Sequence, residues 1–574
     1  NDLGGGDVAA AGPDHPHAQN ALAIAKLEIL KGPSALRFGP FASSGVVNML
    51  SEHKLLNLET ESGGDLLYGY SSVAKEDAFH FHTLRRTGNW FFGFSGHSRD
   101  ATDYKIPGFA ESNLFHETEE HEAEEDKHTR IRGIAEGTGL DEKGLNLHAT
   151  YLVSDLKTTF FFYTNKSLFG VPGHVHHEEE LDEIVQLNMK RDRGGFELNQ
   201  ALSGRFDSFL LSGAFTDYSH KELEDGEANT QFENDSFSLR AELNHSLIAD
   251  QSGLFGFSYY DESFAIQGVE KYLPTAETNK TAIFVLQNYE NDQILLESAA
   301  RLDRVSIKPE GSLTPYSDTV ASFSIGSGYK VADGILVGLS VAKNTRTPSL
   351  AELYANGPHI GPQVYEVGSF YGSGTKLRNE IATTSEFYLR YGRDRWHLHS
   401  ALFFNRFDNF VYGDFTGIEK DSLPEIEYKQ TDADIKGVEI ELEFLTDTKG
   451  ILDINHEFSF STIAAVLATE GNIPRIPPSI LQYVLEGTSE NWLWLLRLKH
   501  SGKQSDIGTN ELPTESYNTV DIEVSWIPSN YNGVTLSLLA RNLGDEEIRN
   551  HTSYLKDRMP EPGRNINLTL HYGF

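Results

Sequence analysis

Cysteine is absent from these 574 residues. Disulfides and thiolate metal sites are therefore excluded, and any metal must be held by His, Asp, Glu or backbone oxygen. Long apolar runs are absent as well. No stretch reaches the roughly 18 consecutive apolar residues of a membrane-crossing helix, so transmembrane helices are excluded. Positive charge is in short supply: 48 Lys and Arg stand against 84 Asp and Glu, a formal charge of -36. A phosphate backbone needs clustered Lys and Arg, so nucleic acid is not an expected partner. The same excess of acid suits attraction of cations to a surface or funnel. No leader pattern is visible either. Asn1 opens a polar, glycine-rich stretch, so if the chain is a membrane barrel its leader is expected to have been removed or never included. No Ser-His-Asp or paired-acid arrangement has usable spacing, so the chain is not expected to be an enzyme.

What is present is alternation. In Asn565–Phe574, apolar side chains fall at 566, 568, 570, 572 and 574, with polar ones between them. Successive strand side chains point to opposite faces, so one face suits lipid and the other a wet interior. The same period of two runs through Phe237, Leu239, Ala241 and Leu243, through Val438, Ile440, Leu442 and Phe444, and through Val520, Ile522, Val524 and Trp526. Glu439, Glu441 and Glu443 fall in mid-strand. Facing lipid, a charge would cost roughly 2–4 kcal/mol at the midplane; lining a hydrated lumen it is tolerated. A mean hydropathy of -0.39 fits a barrel that needs apolar side chains only at alternate positions. The 35 Phe and 24 Tyr fit strands and interfacial girdles. A soluble β-sandwich also alternates, but this length would need several domains, and no linkers are seen. The expected fold is all-β: one large antiparallel transmembrane barrel over residues 54–574.

Residues 1–53 read differently. Ala21–Leu30 leads into Lys31-Gly32-Pro33-Ser34-Ala35-Leu36-Arg37-Phe38-Gly39, and a turn then leads to Gly45-Val46-Val47-Asn48-Met49-Leu50. This is expected to be a small α+β piece and not barrel wall. Leu27–Leu36 with Gly45–Asn48 resembles the end of the plug domain of TonB-dependent outer-membrane receptors. Ala540-Arg541-Asn542-Leu543-Gly544-Asp545 and the terminal Phe574 resemble that family's last strands. The resemblance implies a 22-stranded barrel enclosing a plug, an integral outer-membrane location, surrounding outer-membrane lipid, a monomer, and coupling to the TonB energy-coupling complex. Residues 1–53 would then be the C-terminal part of the plug. Its front and the TonB-contacting segment are not visible in this sequence.

Several His and acid clusters carry candidate chemistry. His116, His121 and His128 lie in one acidic tract, and His174, His176 and His177 in another. Both follow turn-like segments, Ile106-Pro107-Gly108 and Gly170-Val171-Pro172-Gly173, so both are expected in loops. Imidazole with carboxylate suits Zn²⁺ and its borderline neighbours at low affinity. The competing reading is a solvated acidic loop that contains His. Pro13-Asp14-His15-Pro16-His17, Gly268–Pro274 and the expected long loop Glu352–Gly361, followed by Tyr365-Glu366, complete the set. In this order the segments resemble the zinc-importing, ZnuD-type branch of the family. That resemblance implies one ion held by Asp14 and His15 of the plug with Glu270 and His359 of the barrel, and zinc as the transported ligand. Val269 stands where that branch often carries Glu, so the carboxylate falls on Glu270 or a neighbour. His17 and Glu366 are further candidate ligands. The alternative is import of haem or a metal chelate, with His359 as axial ligand. Arg346-Thr347-Pro348-Ser349-Leu350 resembles one segment that flanks such a His.

Overall fold

The computed structural model describes the chain except for residues 1–21, 23, 41–44, 56–61, 123–129, 173–184, 225, 248–250, 270, 360–362, 373–375, 448–451 and 470. Twenty-two antiparallel strands close into one barrel, the expected number. The first wall strand is Ser62–Ser71 and the last Asn565–Gly573, and they pair with Leu568 opposite Tyr70 and Leu570 opposite Tyr68. Two further bonds extend this seam, from Phe574 N to Gly64 O and from Gly64 N to Phe574 O, both 2.9 Å. Closure removes the unpaired edge that an open sheet would present. No helix among the described residues is long and apolar enough to cross a membrane, so the strands do the crossing.

The pleat sorts the side chains. Leu66, Tyr68, Phe79, Phe92, Phe160, Phe323 and Leu568 stand exposed on the outer surface. Their neighbours His80, Ser95, His97, Thr150, Glu242 and Arg301 are buried. The two ends differ. At one end tight turns join Thr87 to Trp90, Val153 to Leu156 and Arg393 to Trp396. At the other, the chain makes long excursions between Ala101 and Leu140, Arg346 and Glu380, and Arg541 and Asn565. Strands Trp396–Lys420 and Leu423–Asp447 run 25 residues each. About 9–11 residues cross a bilayer, so both strands stand well clear of lipid at the long-loop end.

Inside the wall, Ile24–Leu30 and Val46–Ser51 form an antiparallel pair. Between them lies a 3-10 turn, Gly32–Arg37, entered through Gly32 at φ +67, a conformation that favours glycine. Leu36 is buried with Leu254, Phe284, Leu286 and Ala299 of the wall. The Arg37 guanidinium grips both oxygens of Glu242, which also accepts from Arg240 Nε at 2.8 Å. Arg240 and Arg301 donate to the Arg37 carbonyl at 2.8 and 3.3 Å. A second 3-10 turn, Glu52–Leu55, seats His53 against Phe161 (ring centroids 5.1 Å apart) and the Tyr163 hydroxyl. Burial, reinforced by Lys54, Lys157 and Arg193, pushes the His53 imidazole down to about 3, so it is neutral near pH 7.

Two loop expectations are corrected. The segment Lys105–Phe109 is a strand paired with Arg132–Ile134, and the acidic tract begins as an α-helix, Asn113–Glu122. Ser112 starts that helix: its hydroxyl accepts from Phe115 N at 3.1 Å. Arg549, from the 541–565 excursion, donates to the Phe109 and Ala110 carbonyls at 2.9 and 3.0 Å and fixes the segment. The stretch 352–361, read as a loop, contains a helical turn and a hairpin, built as follows.

Candidate functional site

The excursion between Arg346 and Glu380 is pinned at its base by charge. Arg346 donates to both oxygens of Glu380, each at 2.9 Å, and to Glu352 Oε2 at 2.9 Å. Such two-pronged contacts fix geometry as well as adding energy. Ser349 and Glu352 form a reciprocal capping box that starts the helical turn Leu350–Tyr354. The returning chain satisfies the far end of that turn. Gly368, Ser369 and Phe370 amides donate to the carbonyls of Ala355, Glu352 and Leu353 at 2.7 to 3.0 Å. A Cβ on Gly368 would lie 2.6 Å from the Leu353 backbone, so only glycine allows this approach.

Beyond the helical turn, Asn356–His359 pairs with Val364–Val367 as a hairpin, and Val364–Val367 adds in parallel to Glu425–Glu427 of the tall wall strand. Asn356 N donates to the Tyr272 carbonyl at 2.8 Å, tying in the neighbouring excursion. Gly357 passes so close that a Cβ would sit 2.7 Å from Tyr272 Cα. The Tyr272 ring then lies flat on the His359 ring, centroids 4.3 Å apart and planes 11° apart.

His359 and Glu366 meet inside this hairpin. His359 Nδ1 lies 2.8 Å from Glu366 Oε1, and the Tyr428 hydroxyl donates to Glu366 Oε2 at 2.9 Å. A carboxylate only accepts, so Nδ1 carries the hydrogen; in the neutral imidazole that leaves the lone pair on Nε2. This is how proteins orient a metal-ligating His: the second nitrogen is fixed by a carboxylate that is itself held. His359, Glu366 and Glu427 are 6%, 5% and 5% exposed. Below them lies an apolar floor of Phe232, Phe264, Ile266, Tyr272, Leu273 and Ala355. His220 stacks on Phe232 at 4.2 Å. Tyr428 stands on the part of its strand above the lipid level. Burial, with the Glu366 carboxylate next to it, raises its phenol well above the usual value and keeps it a donor.

The candidate residues thus separate. His359 and Glu366 are brought together. His116 lies on the helix Asn113–Glu122 with Nδ1 3.4 Å from Glu111 Oε2, and His121 belongs to the same helix. Asp14, His15, His17, His128, His174, His176, His177 and Glu270 lie outside the described residues. Tyr428, Tyr272 and Glu427 were not anticipated. Nothing in a single sequence links Tyr428 to Glu366, which is 62 positions away.

A closed barrel with lipid-facing apolar bands, a lumen holding a docked amino-terminal segment and long loops at one end defines a plugged membrane-barrel receptor. Residues 68–543 match the family described as TonB dependent receptor-like, beta-barrel, and the chain belongs to that family. It is an integral protein of the outer membrane, with its long loops outward and its tight turns toward the periplasm. Solved structures share the fold. The copper transporter OprC superposes with a TM-score of 0.81 at 14% identity, covering 98% of this chain and 87% of its own. The FrpB iron transporter from Neisseria meningitidis (F3-3 variant) gives 0.77 at 12%, covering 96% and 88%. The siderophore receptor PirA from Acinetobacter baumannii gives 0.72 at 15%, covering 97% and 86%.

Proposed function

We propose that this protein imports a divalent transition-metal ion, zinc foremost, across the outer membrane under TonB coupling, and that His359 is the barrel's primary ligand. The observation that carries this reading is the chain Tyr428–Glu366–His359. A buried imidazole is held by a held carboxylate, an arrangement that in the neutral ring presents Nε2 as the electron-pair donor. Its position under the long loops suits capture from outside, and the net charge of -36 suits concentration of cations there. Asp14 and His15 of the plug and Glu270 of the adjacent excursion are proposed to complete a four-ligand set, the usual number for zinc. Tyr272, two positions after Glu270, lies on the His359 ring, which supports that segment as a contributor. The His-acid tracts around His116, His121, His128, His174, His176 and His177 would collect ions at lower affinity, with His17 and Glu366 as auxiliary groups. A ligand set divided between plug and barrel is broken when the plug moves, which is a physical route from applied force to release.

The test is zinc titration of the chelator-treated full-length chain in detergent, with metal content measured in parallel. Stoichiometric zinc, and loss of more than about tenfold in affinity in His359→Ala, are expected. Unchanged affinity in that variant rejects the site. A Soret band with stoichiometric iron in place of zinc would move the cargo to haem, with His359 as axial ligand.

A further inference from the structure

A second set of metal-ligating side chains lies on the luminal wall at the barrel seam, far from His359. Asp65 is on the first wall strand, His80 and His82 on the second, Glu76–Thr87, and His571 on the last, Asn565–Gly573. Their outward neighbours Leu66, Tyr68, Phe79, Leu570 and Tyr572 are all exposed on the outer surface, so the pleat turns the four toward the lumen. His80 and His82 are two positions apart, a spacing at which two imidazoles on one strand face can chelate one ion. His82 is directly opposite Asp65 in the register.

All three imidazoles lie within ion-pair reach of the Asp65 carboxylate. His82 Nδ1 lies 3.4 Å from Asp65 Oδ1, His80 Nδ1 3.6 Å from Oδ2, and His571 Nε2 3.9 Å from Oδ2. An N–H···O bond is normally about 2.7–3.2 Å. Two ligands sharing a tetrahedral ion at bonds of about 2.1 Å stand roughly 3.4 Å apart. All three ion-pair partners of Asp65 among the described residues are imidazoles. Among the described residues no Lys or Arg pairs with this carboxylate. His571 is the most exposed of the three imidazoles, its side chain 42% exposed. Among the described residues three ligand atoms lie within 4.8 Å of one another only in Glu441, Glu443 and Glu457, an all-oxygen group, so the seam imidazoles must turn toward one another to share an ion.

We infer that Asp65, His80, His82 and His571 form a luminal site for a borderline divalent ion such as Zn²⁺ or Cu²⁺, at the periplasmic rim. Three imidazoles and one carboxylate suit such ions better than Mg²⁺ or Ca²⁺. Asp65 sits one residue from Gly64, which bonds the terminal Phe574. An ion descending from the vestibule would therefore meet this group last, before the periplasm. That transit role rests on the proposed import of metal; binding at the seam does not.

The experiment is Zn²⁺ titration of the full chain, followed by diffraction at the zinc edge from crystals soaked with Zn²⁺ alone. Two classes of site are expected. The double variant His80→Asn/His82→Asn should lose one class and His359→Ala the other, each by more than about tenfold. If the seam variant keeps both classes, the inference is overturned. If His359→Ala keeps both while the seam variant loses one, the seam stands and the vestibule reading fails. Should the double variant not fold, the unmodified chain decides. An anomalous peak between the Asp65 carboxylate and the His80 and His82 rings supports the site, and its absence at saturating zinc overturns it.

Discussion

Two polar clusters join distant segments of this barrel, and they are built from different chemistry. The Arg37–Glu242 latch uses charges fixed across the physiological pH range: a guanidinium never titrates there, and Glu242, 1% exposed, is enclosed by Arg37 and Arg240. The Tyr428–Glu366–His359 vestibule instead centres on an imidazole, the side chain that changes most readily with pH and metal. One cluster holds the amino-terminal segment with charges that do not titrate in that range. The other centres on a group that does and, on the proposed reading, would answer to a cargo.

Substitutions can pull the two apart. The largest effect is expected from Glu242→Ala, which leaves Arg37 and Arg240 facing each other without a carboxylate. Removing one partner of such a buried group costs about 3 kcal/mol. Protease cleavage within the amino-terminal segment should rise steeply while zinc affinity stays as in the parent. Loss of zinc affinity with an intact plug would show the clusters to be coupled. Next comes His359→Ala, expected to weaken zinc binding by about 10–100-fold with no change in plug protection. Tyr428→Phe deletes only the hydrogen bond that steadies Glu366. It should cost about 1 kcal/mol, near fivefold in zinc affinity by calorimetry; no change would show that Glu366 is held well enough without it.

The smallest effect concerns His53. Its imidazole is held at about 3 when docked, chiefly by burial, whereas a free one titrates near 6.5. Undocked His53 therefore gains a proton below about pH 6.5 and docked His53 does not. The contact's contribution is complete above that pH and is lost as pH falls toward 3. Between pH 7 and pH 6 the loss is about 0.7 kcal/mol. Protection of the amino-terminal segment should decline over that range in the parent and stay flat in His53→Gln. Equal slopes would place the titrating group elsewhere.

Much of the wall was readable beforehand. Ile566, Leu568, Leu570 and Tyr572 alternate in sequence and stand on the outer face. Glu439 and Glu242, set in mid-strand among apolar neighbours, take the luminal side and meet Lys31 and Arg37 of the amino-terminal segment. One local signal was readable and missed. Ser349-Leu350-Ala351-Glu352 is a capping-box spacing, and it starts a helical turn where a loop had been expected. The candidate site was legible only in part. His359 was singled out by a family resemblance and Glu366 as a further candidate ligand, but the carboxylate's grip on Nδ1 depends on a hairpin docking against Glu425–Glu427.

Sequence alone determined the period of two, the absence of membrane helices and thiolate chemistry, and the surplus of acid over base. These are local or compositional, because a strand's pleat sorts side chains whatever strand lies beside it. The tertiary structure decided which side chains meet: Arg37 with Glu242, Tyr428 with Glu366, and Asp65 with His82. Those contacts follow from strand register, barrel closure and the path of one long excursion, and no short window of sequence encodes any of the three.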